Sequence, residues 1–100
     1  MSRLPPRTVL VPHPDVFLRE EGEAGGILYD PNSGGVRLVN GSAASFWKLL
    51  DGRRTLAEVT RALGKEFAGF DEAAAGEVFR LADELLALGL VGIADPGGTP

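Results

Sequence analysis

Few residues in this sequence could carry out catalysis, and their surroundings do not favour it. His13 is the only histidine, it lies between Pro12 and Pro14, and cysteine is absent. One imidazole without any cysteine cannot supply the ligands of a typical zinc site. As a general base it would need a second side chain to position it, and an extended, proline-flanked segment does not provide one. We therefore predict that the chain is not an enzyme and that it uses no metal or other cofactor.

The acidic residues also lack an arrangement suited to acid–base chemistry. Glu20 ends a predicted strand and Glu21 follows it, and Asp71 and Glu72 are adjacent where a predicted helix starts. Neighbouring side chains in such positions point in different directions, so neither pair is expected to form a carboxylate dyad. Asp51 precedes a glycine, which is typical of a turn that ends a helix. Glycine motifs that cradle phosphates are absent from the sequence as well.

The third predicted helix carries the clearest indication of a binding function, because it has more apolar surface than a small core needs. Two stripes at helical spacing run along it. The first consists of Ala74, Val78, Leu81, Leu85 and Leu88, and the second of Ala75, Phe79, Ala82 and Leu86. The first stripe suffices to seat the helix on a core. The second is either covered by the two preceding helices or lines a groove for a ligand.

The elements that must position this helix follow from the periodicity of apolar residues. Three short alternating segments, Val16–Glu20, Gly26–Asp30 and Gly35–Val39, predict an antiparallel meander. In the last of them we expect Val36 and Leu38 to face the core, while the backbone of the strand can still pair with a peptide.

After these strands the period changes to that of helices. We predict three helices, with Ser42, Thr55 and Asp71 as their N-caps. Glu58 completes a capping box with Thr55. The helices are expected to end near Leu50, Phe67 and Leu88. Strands followed by helices are typical of an α+β fold.

Size and composition limit the remaining possibilities. A chain of 100 residues fits one domain with a single core. We predict an extended, proline-rich arm over residues 1–14 with strand character near Thr8 to Val11, a folded domain over 15–92 and a flexible tail over 93–100. The net charge of -4 disfavours nucleic acid. Without a long apolar run we expect a cytoplasmic domain and no membrane partner.

Three motifs at defined spacing connect these elements to a known family. Val36–Ala43 contains Leu-x-Asn-x-x-Ala, Leu49–Leu56 contains Leu-x-Asp-Gly-x-x-Thr followed by an apolar residue, and Glu77–Val91 ends in Gly-Leu-Val. Together with Gly26–Asp30, these stretches resemble the PqqD-like family, the precursor-peptide recognition element of ribosomally made, modified peptides. The resemblance covers residues 15–92.

The resemblance implies a winged helix-turn-helix fold, with a three-stranded antiparallel sheet followed by three helices. It implies that the leader segment of a precursor peptide adds to the third strand and docks between that strand and the third helix. It implies a partner enzyme, such as a radical SAM maturase or a lasso-peptide leader peptidase. A peptide-binding adaptor of this kind is compatible with a monomer or a homodimer. The peptide-binding residues mapped on this basis are Gly35, Val36, Arg37, Leu38, Val39, Val78, Phe79, Ala82, Asp83 and Leu86.

Two other functions stay open from the sequence. A helix-turn-helix pair before a longer helix is also found in winged-helix DNA-binding regulators. Against this function, residues 71–88 contain five acidic side chains and a single basic one, Arg80, which phosphates would repel. A structural or oligomerisation module would pack the same apolar stripe against a second copy.

Overall fold

The computed structural model describes residues 4–22 and 25–94, which form five strands and three helices. In chain order these are β1 (Leu10–Pro12), β2 (Phe17–Glu20), β3 (Gly25–Asp30), β4 (Gly35–Asn40), α1 (Gly41–Leu49), α2 (Leu56–Glu66), α3 (Glu72–Ala87) and β5 (Val91–Ile93). Strands β2, β3 and β4 form an antiparallel sheet in that order. The predicted α+β class, with this sheet and three helices, is confirmed. The winged helix-turn-helix arrangement stays a prediction.

The described part of the N-terminal segment combines turns with the short strand β1, and it packs on the core of the domain. Leu10 is fully buried, and β1 forms a separate antiparallel pair with β5. The carbonyl oxygens of Pro6 and Thr8 accept hydrogen bonds from the N–H groups of Ala57 (2.9 Å) and Leu56 (2.8 Å). These donors at the start of α2 have no acceptor within the helix, so the segment satisfies them. Residues 1–3 of the predicted arm and 95–100 of the predicted tail lie outside the described residues.

A single apolar core joins the three-stranded sheet to the helices. Leu28 of β3, Phe46 of α1, Val59 and Leu63 of α2, and Leu85 of α3 are each at most 1% exposed. Burying one side chain of this size contributes about 1.5–3 kcal/mol. The helices are therefore held against one face of the sheet.

The alternation along β4 is opposite to the predicted one. Val39 is buried, whereas Val36 and Leu38 are 59% and 69% exposed. The prediction that Val36 and Leu38 face the core is therefore wrong. Register explains the inversion, since Arg37 lies opposite the buried Leu28 and shares its face of the sheet. A long arginine stem can cover apolar surface while its charged head stays at the edge.

Helix α1 begins earlier than predicted, with Asn40 as its N-cap instead of Ser42. The Oδ1 atom of Asn40 accepts the N–H of Ala43 at 2.8 Å and the hydroxyl of Ser42 at 3.0 Å. Ser42 thus supports the cap from inside the first turn. Asn40, the last residue of β4, is therefore the N-cap, although Ser42 is also of a type that can cap a helix.

The starts of the other two helices are confirmed. Thr55 and Glu58 form a complete capping box at α2, and Asp71 accepts the N–H of Ala74 at α3. Gly89, with a φ of +76°, follows the end of α3, as expected for a left-handed residue at a helix C-terminus. None of the helices in the described ranges is long and apolar enough to cross a membrane.

The cap of α1 gives a first testable prediction. Asn40→Ala removes the acceptor of the Ala43 N–H and should lower the free energy of unfolding by about 1 kcal/mol. Ser42→Ala keeps that acceptor and should cost less than half as much. Urea unfolding of both variants measures the difference. A larger loss for Ser42→Ala would contradict the assignment of the cap.

Candidate functional site

A cleft of about 590 Å³ lies between the edge strand β4 and helix α3. Aromatic and aliphatic side chains from all three helices, and from the connection between α2 and α3, line it. The apolar residues that line it include Val39, Phe46, Phe67, Phe70, Val78 and Leu81. The cleft can therefore accommodate apolar side chains of a ligand.

Strand β4 forms one wall of the cleft and one edge of its sheet. It pairs with β3 on one side only, and no other described strand lies on its second side. An edge strand presents unpaired N–H and C=O groups that can pair with another extended chain. The backbone edge and the apolar cleft are thus adjacent.

Charged side chains cross the mouth of the cleft. The guanidinium group of Arg37 on β4 forms an ion pair with the carboxylate of Glu84 on α3, and it also donates to the carbonyl oxygen of Leu38. On α3 itself, Arg80 pairs with Glu77. These side chains are partly to largely exposed, and such pairs contribute about 0–1 kcal/mol. A ligand could therefore replace them at low cost.

The structure brings together part of the peptide-binding set mapped from the sequence. Arg37, Leu38 and Val39 border the cleft from β4. Gly35 and Val36 belong to the same edge strand but do not line the cavity. The backbone of the whole mapped strand is nevertheless placed along one edge.

On α3 the mapped residues point mainly away from the cleft. Among them only Val78 lines it. Ala82 is fully buried, and Phe79 and Leu86 are half-buried against the core. Asp83 is also half-buried and is not part of the lining. The cleft side of α3 is instead the stripe assigned to the core, represented by Val78 and Leu81.

Two features of the lining were missed by the sequence analysis. Leu81 has Glu77 four residues before it and Glu84 three residues after it, a charged border typical of a partly exposed helix face. That pattern could have identified it. Phe67 and Phe70 lie at the end of α2 and in the following connection, where helical periodicity gives no information on burial.

The other candidate chemical groups lie in turns. Asp51 accepts the backbone N–H groups of Arg54 and Arg53 at 2.8 and 2.9 Å, and these hydrogen bonds, that of Arg54 first, lower the pKa of its carboxyl group. Asp51 is thus the turn residue that was predicted. His13 accepts the N–H of Asp15 through Nδ1 at 3.1 Å. In the part of the chain that the structure describes, no three His, Cys, Asp or Glu side chains are grouped to hold a metal ion.

Comparison with known proteins identifies the family of this fold. A search of the curated proteins finds no match. The family model described as coenzyme PQQ synthesis protein D (PqqD) matches residues 25–91. The matched region extends from the start of β3 to the start of β5 and includes β4, α3 and the cleft between them. Because more than half of the chain matches, it belongs to the PqqD family.

Proposed function

We propose that this chain is a binding domain without catalytic activity, which holds the leader segment of a ribosomal precursor peptide as an added strand on β4. Family membership supports the proposal, because belonging to the PqqD family suggests that the chain acts as a peptide-binding partner in the biosynthesis of modified ribosomal peptides. The observation that carries it is the open edge of β4 beside an apolar cleft. In strand addition, backbone hydrogen bonds give affinity and side-chain pockets give selection.

The peptide would use the strand and the helix in different ways. Along Gly35–Val39 the contacts would be backbone hydrogen bonds, and they are therefore independent of the leader sequence. On α3 we assign the side-chain contacts to Val78 and Leu81. Phe79 and Leu86, which the resemblance also implies, would then support α3 from its other side.

The fully buried Ala82 would have a packing role in this arrangement, because a peptide cannot reach it without moving α3. The half-buried Asp83 lies outside the cleft lining and would not contact a leader bound there. A winged helix-turn-helix arrangement of the three helices is part of the same proposal.

A leader in the cleft would leave the rest of the precursor outside the domain. A second protein can then act on that core segment, which fits the family's implied interaction with peptide-modifying enzymes. A radical SAM maturase or a leader peptidase would suit this role. The domain would contribute recognition, and the enzyme would contribute all of the chemistry.

The charge of α3 argues against the alternative of a DNA-binding regulator. Its exposed side chains include Glu72, Glu77 and Glu84, and the exposed Arg80 is already paired with Glu77. Such a helix would meet phosphates with net negative charge. The observations therefore favour a peptide over a nucleic acid.

Hydrogen exchange with a leader peptide encoded beside this gene tests the proposal. At saturating peptide, the amides of β4 should exchange more slowly, because an added strand pairs with those that now face solvent. The amides of β2, at the opposite edge of the same sheet, serve as the internal control and should change little. Binding without any protection of β4 would contradict strand addition.

A further inference from the structure

The face of the three-stranded sheet that is turned away from the helices is apolar and exposed. Phe17 of β2 is 50% exposed, and Val36 and Leu38 of β4 are still more so. By register, Tyr29 of β3 lies opposite both Phe17 and Val36, and Ile27 lies opposite Leu38. These five adjacent side chains form one patch, which we name the outer sheet face.

Aromatic packing orders part of the outer sheet face, and a charged pair lies at one end of it. The rings of Phe17 and Tyr29 meet edge to face, with centroids 5.4 Å apart. Arg19 lies opposite Ile27 at the border of the patch and pairs with Glu21 at 3.5 Å. Exposed aromatic and aliphatic groups with few charges are the composition of the central part of a protein interface.

The size of the patch limits what can cover it. Strands β3 and β4 have six residues each and β2 has four. At about 3.3 Å per residue and a strand spacing of about 4.8 Å, they give a face of roughly 250 Å². A stable complex buries about 800 Å² on each partner. The outer sheet face is therefore too small to hold a dimer of this chain by itself. Its occupant needs a second point of attachment.

We propose that the outer sheet face docks an apolar surface of the enzyme that modifies the peptide bound on β4. This inference rests on the proposed function, because the peptide supplies the second attachment. With its leader on β4 and its core in the enzyme, the peptide tethers the two proteins. A short flexible tether gives the enzyme an effective concentration of the order of millimolar at the domain. At that concentration a small apolar patch is sufficient to hold the two proteins together.

The position of the patch fits this arrangement. Leu38 belongs to the outer sheet face and also borders the cleft, so the two surfaces are continuous along β4. A leader strand added to β4 would turn every second side chain outward beside Val36 and Leu38. The enzyme would then contact the domain and the bound leader on one continuous face.

The test uses residues of the patch that lie outside the proposed peptide site. In the full chain, Phe17→Thr is combined with Ile27→Thr, since threonine keeps the preference for strands. The matched control is Ile93→Thr, which alters a side chain of similar exposure, 54%, in the other sheet. One titration measures the affinity of the domain for the leader peptide. A second measures its affinity for the modifying enzyme, encoded by a neighbouring gene, after that enzyme has bound the full precursor.

We expect the double variant to bind the loaded enzyme at least about tenfold more weakly, with unchanged affinity for the leader. The control should match the wild type in both titrations. Unchanged affinity for the enzyme in the double variant, or an equal loss of leader affinity, would overturn the inference. A wild-type dimer that the double variant dissociates, seen by light scattering, would also overturn it, because the occupant would then be a second copy.

Failure of the proposed function can be distinguished from failure of this inference. Chemical cross-linking of the domain to the enzyme at high concentration and without peptide measures the patch alone. Loss of cross-links in the double variant supports the outer sheet face even where the leader does not bind. Cross-links that are equal in the wild type and the double variant overturn it.

Discussion

Gly25→Ala should destabilise the domain by about 3 kcal/mol or more and prevent normal pairing of β3 with β4. Gly25 has a φ of +131°, a conformation that side chains rarely adopt. A Cβ atom there would lie 2.0 Å from the carbonyl oxygen of Val39. Because that obstacle is backbone, it cannot rotate away. Relief requires movement of β4, the strand that forms one wall of the cleft.

Gly22→Ala separates the steric clash from the backbone strain. Gly22 also has a positive φ, +80°, but nothing lies within 4 Å of a Cβ placed there. Gly22→Ala should therefore lower the free energy of unfolding only through backbone strain, by about 1–2 kcal/mol. Urea unfolding measures both variants. Equal losses would show that close approach of the strands at Gly25 does not limit the fold.

Local signals in the sequence predicted most of the secondary structure. The capping box of Thr55 and Glu58 and the cap at Asp71 depend on residues a few positions apart, so they are visible without a tertiary structure. The pairing of β1 with β5 was missed for the opposite reason. Leu10 lies opposite Ile93, and no local period connects residues so far apart in the chain.

The orientation of elements was less predictable than their existence. A strand with Val36, Arg37, Leu38 and Val39 has one apolar face and one mixed face, and only the register with the buried Leu28 determines which one is inside. Composition favours Val36 and Leu38 as the apolar pair. The fold accepts Arg37 on the inner side because its head reaches Glu84 at the edge.

The rotation of helix α3 about its own axis was equally hard to predict from the sequence. Its two apolar stripes are displaced by one residue, or about 100° around the helix axis, and both are compatible with a core. The buried line of α3 runs through Val78, Ala82 and Leu85 and so combines residues of both stripes. Leu81 lies on the side of this line that faces the cleft, and Phe79 and Leu86 are partly buried against the core without lining it. Periodicity identified both stripes, but only packing decides which of them a ligand can reach.

This rotation gives the prediction with the largest expected effect on binding. Leu81→Ala removes an apolar side chain from the cleft lining, whereas Phe79→Ala removes one that packs against the core. Burial of such a side chain against a leader is worth roughly 1.5 kcal/mol, so Leu81→Ala should weaken leader binding about tenfold. Phe79→Ala should lower the stability of the domain and leave the affinity nearly unchanged.

Both affinities should be measured by titration with the same leader peptide, at a temperature where circular dichroism shows both variants folded. Both changes place alanine, the best helix former, on the same helix, and neither alters its charge. Their difference therefore reports the face of α3 that meets the peptide. A greater loss of affinity in Phe79→Ala would place the leader on the stripe of Phe79 and Leu86, and β4 would then have to bind it without the cleft.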